Sequence, residues 1–116
     1  MLNLTPHAIT VRMPDGTDHV IPPTGCVARV DSRPGDLLPP EKCPDGLPCY
    51  ASPEWGEVLN LPDSEPGVSY LVSLLVLARC RGRMDVFAPG TGPNDGAIRH
   101  ANGQIIAVTR LIRAMP

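Results

Sequence analysis

The sequence is poor in aromatic residues and in lysine, and it has no strong excess of charge of either sign. Among its 116 residues there are one Trp, one Phe and two Tyr, and Lys42 is the single lysine. Proteins that bind single-stranded nucleic acid stack bases on several exposed aromatic side chains, so this scarcity argues against that class. The formal net charge of -2 gives no general attraction to nucleic acid or to an anionic membrane.

Long apolar runs are also missing. The first residues have neither the basic region nor the apolar core of a signal peptide. The longest apolar run, Tyr70 to Ala78, has nine residues, is interrupted by Ser73 and is too short to span a bilayer. We therefore expect a cytoplasmic protein whose four cysteines are reduced thiols.

Proline and glycine, by contrast, are abundant. Fifteen prolines and eleven glycines accompany an ordinary apolar fraction of 42%. This combination predicts short strands joined by turns rather than disorder or long helices. The length predicts a single domain over residues 1–116. We expect an α+β fold: a small, mostly antiparallel, twisted sheet or half-open barrel of roughly five to seven short strands, with one short helix and the chain ends close together.

Local composition places these elements along the chain. A helix is predicted from about Leu74 to Arg81, because Ser73 can cap its first turn and Gly82 can end it. One long buried strand is the alternative for this segment. Residues 32–52, which contain Cys43 and Cys49 among many prolines, are predicted to be an irregular, insertion-like loop. The segments with strand composition are residues 8–11, 19–21, 26–31, 53–61, 68–72 and 85–88.

A hairpin is predicted near the end of the sequence. One strand runs from Ala97 to His100, and the other returns from Ile105 to Leu111. The Asn102-Gly103 pair between two apolar runs is typical of a type I′ turn, in which both central residues have positive φ.

The loop from Ala88 to Gly96 precedes this hairpin and is a candidate binding site. It has neither the glycine pattern of a dinucleotide-binding fold nor the lysine of a P-loop. Its backbone amides, together with Thr91, Asn94 and Arg99, can form a cradle for a phosphate or carboxylate. The alternative is a rigid turn in which Asn94 and Asp95 bond their own backbone.

The N-terminal segment from Asn3 to His7 is a second candidate, because it places three hydrogen-bonding side chains within five residues. Its alternative is that Asn3 and Thr5 satisfy backbone groups while His7 lies on the surface. The predicted ligand-binding residues of the two segments are Asn3, Thr5, His7, Gly90, Thr91, Gly92, Asn94, Asp95 and Arg99.

Neither metal binding nor catalysis has a specific motif. Five residues separate Cys43 from Cys49, against the two to four typical of a zinc site. We expect no metal and no cofactor. A small hydrolase using His7 or His100 with Asp95 lacks a recognisable catalytic pattern.

Three segments together resemble a family of small uncharacterised proteins carried by tailed phages and prophages, many of them in actinobacteria. They are Asn3–Thr10 (NLTPHAIT), Asp85–Arg99 (DVFAPGTGPNDGAIR) and Gln104–Arg110 (QIIAVTR). Residues 32–52 do not fit the resemblance. It implies a phage protein in the host cytoplasm, and it implies no catalytic residue.

Three functions follow as hypotheses. The first is a phage accessory protein that binds a small anionic, nucleotide-like ligand, with host defence as its target. The second is a protein-interaction or assembly module, a homo-oligomer built through exposed strand edges that binds a host or phage protein. The third is the small hydrolase. The sequence favours a binding protein over an enzyme, and we expect neither nucleic acid nor a membrane as partner.

Overall fold

The computed structural model describes residues 1–116 and confirms an α+β fold that is mostly strand with one short helix. The strands number ten rather than five to seven, because several of them are only two or three residues long. In chain order the elements are β1 Leu2–Asn3, β2 Ile9–Arg12, β3 Asp18–Ile21, β4 Arg29–Arg33, β5 Glu54–Leu59, β6 Tyr70–Leu71, α1 Leu74–Leu77, β7 Val86–Pro89, β8 Ile98–Arg99, β9 Ile105–Ala107 and β10 Leu111–Arg113.

A four-stranded sheet in the order β1-β6-β7-β10 forms the centre of the molecule. The β1-β6 and β6-β7 pairs are parallel, and β7-β10 is antiparallel. The first and last strands are therefore the two edges of one sheet, with two strands between them. The remaining strands form three antiparallel pairs, β2-β3, β4-β5 and β8-β9, and no barrel closes.

The hydrophobic core lies where α1 covers the central sheet. Val72 and Val86 are completely buried in it, and α1 contributes Val76 and Leu77. Burying a large apolar side chain stabilises a fold by about 1.5–3 kcal/mol, so this cluster is the main source of stability. The ten members of the cluster are Leu4, Ala28, Tyr70, Val72, Val76, Leu77, Cys80, Val86, Ala88 and Ala114.

The helix begins as predicted but ends earlier. The Ser73 hydroxyl accepts a hydrogen bond from the Val76 amide at 3.3 Å, which caps the first turn. Beyond Leu77 the chain continues in tighter turns, in which the Cys80 amide bonds the Leu77 carbonyl. The predicted end at Arg81 is therefore wrong. Gly82 stops the segment with a φ of 89° and donates its amide to the Met115 carbonyl.

The predicted type I′ turn is also wrong. Only Gly103 has positive φ in this turn, while Asn102 does not. The Gly103 amide bonds the His100 carbonyl, and the His100 amide bonds the Gln104 carbonyl. The result is a three-residue loop, which needs positive φ only at its last position. The returning strand ends at Ala107, and Leu111 already belongs to β10 of the central sheet.

Residues 31–57, which we call the arm, form an ordered projection. The outer part of β4 and most of β5 pair along its base, and two tight turns, Pro40–Lys42 and Pro44–Gly46, shape its tip. An antiparallel bridge between Leu37 and Tyr50 separates base from tip. No residue of the arm is buried.

The molecule is long for its number of residues. The radius of gyration is 17.4 Å and the principal extents are 56 × 39 × 27 Å. A compact domain of about 100 residues has a radius of gyration of about 13 Å. No helix in the structure has both the length and the apolar character needed to cross a membrane.

Candidate functional site

Asn3 lies at the centre of a buried polar cluster. Its side-chain amide donates to the carbonyls of His7 and Ile21, both at 2.9 Å. Its Oδ1 accepts from the backbone amide of Thr5 at 2.9 Å and from the Thr5 hydroxyl at 2.6 Å. An asparagine side chain has two N–H donors and one carbonyl oxygen with two lone pairs, so its bonding capacity is used inside the protein.

His7 belongs to this cluster through its backbone only. Its carbonyl oxygen also lies 3.0 Å from the Thr5 hydroxyl oxygen, whose single proton is shared with the closer Asn3 Oδ1. The His7 ring is exposed and makes no hydrogen bond. The geometry thus matches the structural alternative for this segment. Asn3 and Thr5 tie the start of the chain to β3, and His7 lies on the surface.

The loop between β7 and β8 is fixed by its own hydrogen bonds. The Asp95 carboxylate accepts from the Gly92 amide at 2.8 Å, and the Asp95 amide donates back to the Gly92 carbonyl at 3.1 Å. The Gly90 amide bonds the Arg110 carbonyl, and the Thr109 hydroxyl donates to the Asp95 carbonyl. These contacts make the loop a rigid turn. Asn94, in contrast, is exposed and its side chain makes no hydrogen bond.

Arg99 connects the loop to the hairpin rather than pairing with a carboxylate. Its guanidinium donates to the Gly103 carbonyl at 2.9 Å and to the Thr91 carbonyl at 3.1 Å. It makes no ion pair with Asp95. An anion at this loop would therefore meet the uncompensated carboxylate of Asp95 together with an arginine already engaged by two carbonyls.

The 89–96 loop lines no depression of the surface, and the Asn3–His7 segment lines one only through Leu4. The structure has four depressions, and none of the nine predicted ligand-binding residues lines any of them. No hydrogen bond joins the Asn3–His7 segment to the 89–96 loop. The largest depression, about 770 Å³, is an open groove beside β1 with Leu4, Cys26 and Arg29 among its lining residues.

The other three depressions lie on the arm, which sequence reasoning treated only as irregular. The one at the tip, about 260 Å³, is lined by Leu37, Leu38 and Leu47 among others. Leu37, Leu47 and Tyr50 are 61%, 59% and 66% exposed, more than any other large apolar residue except Met115. No periodic pattern in this proline-rich segment could have marked these side chains as exposed.

Close backbone packing gives the arm a defined shape. The Leu38 amide bonds the Cys49 carbonyl, and the Ala51 amide bonds the Asp36 carbonyl, both at 2.8 Å. At Gly35 a side chain would overlap the Ala51 carbonyl, since an added Cβ would lie 2.2 Å from that oxygen. The arm thus presents its apolar residues in a fixed arrangement.

At its base the arm meets the end of the helical segment. The Arg79 guanidinium lies 5.9 Å from the centre of the Trp55 ring, which is within the range of a cation–π contact. Trp55 remains 42% exposed, so this contact anchors the base without burying it.

Asp85, which precedes the predicted loop in sequence, has a structural role. Arg83 donates two hydrogen bonds to its carboxylate, each at 2.9 Å, and a third to the Pro62 carbonyl. The hydrogen bonding by Arg83 lowers the pKa of Asp85 to about 2, against the opposing effect of desolvation. Asp85 is therefore a charged partner in the fold and a poor proton acceptor.

No protein-family model, curated protein or solved structure matches this chain. The resemblance to phage proteins stays a prediction, and the function is argued from the geometry.

Proposed function

We propose that this protein is an interaction or assembly module that binds a protein partner through its arm. The observation that carries the proposal is the amount of exposed surface. The chain exposes 7921 Å², whereas a folded monomer of its mass exposes about 6,100 Å². The difference exceeds the roughly 800 Å² that each partner buries in a typical stable complex.

The arm has the features of a contact surface. Ordering a residue costs about 1–2 kcal/mol of backbone entropy, and the arm buries no side chain of its own to offset that cost. Contact with a partner would supply the missing burial. Its exposed apolar side chains at Leu37, Leu47 and Tyr50 alternate along the chain with exposed charged residues, a mixture found in interfaces with an apolar centre and a polar rim. The charged residues are Asp36, Glu41, Lys42 and Asp45.

Charge indicates what the partner surface looks like. The arm contains six acidic and two basic residues, a net charge of -4, whereas the whole chain has -2. The rest of the molecule therefore carries +2. Two arms facing each other would bring like charges together, which favours contact with a positively charged surface. That surface belongs to another protein or to a different face of a second copy.

The resemblance to phage proteins would make the partner a host or phage protein, as the sequence also predicts. The anionic-ligand function has less support, because the predicted residues line no depression and Asn3, Thr5 and Arg99 already bond protein groups. A nucleotide that raised the melting temperature of the wild-type protein and not of Arg99→Ala would favour the ligand function instead.

The test removes the apolar residues of the arm. We expect the triple variant Leu37→Ser, Leu47→Ser, Tyr50→Ser to lose complex formation. Sedimentation velocity over a range of concentrations measures binding to a second copy, and cross-linking in a host lysate followed by mass spectrometry measures binding to another protein. Because the substituted side chains are exposed, the stability of the variant should change by no more than about 0.5 kcal/mol per site.

The matched control carries Val20→Ser and Met115→Ser, which are 54% and 65% exposed but lie outside the arm. The control should behave as the wild-type protein does. If the wild-type protein is monomeric and cross-links to the same proteins as the triple variant, the arm is not an interaction surface and the proposal is wrong.

A further inference from the structure

The tip of the arm brings two cysteines together. Cys43 lies between the two tight turns, and the chain then reverses direction through Asp45 and Gly46, whose φ values are 53° and 68°. Five residues separate Cys43 from Cys49, where the chain returns. The reversal brings Cys49 back to Leu38, the residue that the Cys43 sulfur also approaches.

Both cysteines are positioned by the same residue, Leu38. The Leu38 amide donates to the Cys49 carbonyl at 2.8 Å, and the Cys43 sulfur lies 3.9 Å from the Leu38 carbonyl oxygen and 3.4 Å from that of Pro39. The neighbouring Cys43 thiol raises the pKa of Cys49 above its ordinary value, with desolvation adding to the effect. The two cysteines thus meet the same residue, one at its amide and the other at its carbonyl, before any bond forms.

The two other cysteines are placed differently. Cys80 is buried in the core, where its thiol bonds the Val76 carbonyl, and desolvation raises its pKa. Cys26 is exposed beside the open groove at β1. Cys43 and Cys49 are both partly exposed, so a small reagent can reach them.

We propose that Cys43 and Cys49 form a reversible disulfide that closes the tip of the arm, with a low-molecular-weight disulfide such as oxidised glutathione as the oxidant. One cysteine, as its thiolate, attacks a sulfur of glutathione disulfide, forms a mixed disulfide and releases one glutathione thiolate. The second cysteine then attacks the protein sulfur of the mixed disulfide and releases the other glutathione. The protein dithiol loses two electrons and two protons, and one glutathione disulfide becomes two molecules of reduced glutathione.

The fold favours the second step because the amide and the carbonyl of Leu38 hold Cys49 and Cys43 on one stretch of the tip. In a reducing compartment the pair stays as thiols, and a rise in oxidised glutathione converts it to the disulfide. The bond would tie the turn that contains Cys43 to the strand pair at Leu38 and Cys49, beside the depression lined by Leu37 and Leu47. The formation of the bond does not depend on whether the arm has a partner.

The experiment uses the full chain, first reduced and then equilibrated with reduced and oxidised glutathione at graded ratios. Free thiols are trapped by alkylation, and the linkages are read by intact mass and peptide mapping. We expect a Cys43–Cys49 bond to appear while Cys26 remains alkylated. Cys26→Ser should give the same bond at the same ratio, and Cys43→Ser should instead accumulate a glutathione adduct at Cys49.

Two results would overturn the proposal. One is a wild-type protein with glutathione adducts on Cys43 and Cys49 but no bond between them at any ratio. The other is a bond that pairs Cys26 with either of these cysteines in place of the Cys43–Cys49 bond.

Discussion

Asn3 illustrates how one residue can organise a segment without being a binding site. In sequence it lies close to Thr5 and His7, and this pattern predicted a ligand-binding residue. In the structure it is completely buried and joins three places in the chain: Thr5, His7 and the end of β3 at Ile21. A buried amide with every bond satisfied stabilises one arrangement of its neighbours over all others.

We predict that Asn3→Ala destabilises the protein by roughly 2–4 kcal/mol, because the Ile21 carbonyl and the Thr5 amide lose buried partners at about 1–3 kcal/mol each. Asn3→Asp should also destabilise it, since a carboxylate would face the carbonyls of His7 and Ile21. Chemical denaturation measures both changes. His7→Ala is the control and should be nearly neutral; equal stability of Asn3→Ala and the wild type would contradict the proposed role.

The ion pair between Asp85 and Arg83 should make the stability of the folded protein depend on pH in the acidic range. The pKa of Asp85 is about 2 in the folded protein, below its usual 3.8, so the unfolded chain binds the proton more tightly. The pair therefore contributes its full stabilisation above about pH 4, and that contribution is lost as the pH falls to about 2.

Asp85→Asn should be less stable than the wild type at neutral pH and should lose less stability between about pH 4 and pH 2. Denaturation midpoints measured across this range give the comparison. Asp36→Asn, a change of the same charge on the exposed arm, is the control. Parallel pH profiles for Asp85→Asn and the wild type would show that the ion pair does not stabilise the fold.

At the scale of elements, the sequence predicted which elements exist better than where they end. The strand at Val86–Pro89, the capped start of α1 at Ser73 and the stop at Gly82 all depend on local signals. The predicted end of α1 was wrong by a few residues. The turn at Asn102-Gly103 was predicted in the right place but with the wrong turn type. In both places two local hydrogen-bonding patterns compete with similar energies, and composition does not distinguish between them.

The substitution Gly35→Ala tests whether close backbone packing holds the arm in its conformation. Because an added Cβ would overlap the Ala51 carbonyl, we expect Gly35→Ala to weaken the arm by about 1–3 kcal/mol while the core remains folded. The readout is cleavage by a lysine-specific protease at Lys42, the single lysine of the chain, which should become several-fold faster as local opening becomes easier.

Gly56→Ala is the matched control on the same arm. There an added Cβ would meet its nearest neighbour, the Asp31 carbonyl oxygen, at 3.5 Å, an ordinary contact. This variant should be cleaved at the wild-type rate. Identical cleavage of the two variants would mean that the packing at Gly35 does not hold the arm in place.

At the scale of the whole molecule, the arm separates this protein from a compact domain. The ten core residues come from positions 4–28 and 70–114, on both sides of the arm in sequence, whereas residues 31–57 include no buried residue. The negative charge of the molecule concentrates in that projection. The role of the arm is tested by the triple variant at Leu37, Leu47 and Tyr50. This variant changes the apolar surface of the arm and leaves the core intact.

The sequence by itself determined the local features of the protein. The helix cap at Ser73 and the strand before the 89–96 loop each depend on residues that are close together in sequence. The α+β class followed from the same short-range signals, since frequent turns and short apolar runs permit few other architectures.

The tertiary structure decided which of the polar residues remain available to other molecules. The side-chain amide of Asn3 donates to the carbonyl of Ile21, 18 positions away, and so is not free for a ligand. In the same way, β1 pairs with β6, which is far away in sequence. The exposure of Leu37, Leu47 and Tyr50 likewise depends on the absence of any distant segment that covers them. The burial of a side chain and the pairing of distant strands depend on contacts between segments. The residue pattern within one segment therefore does not predict them.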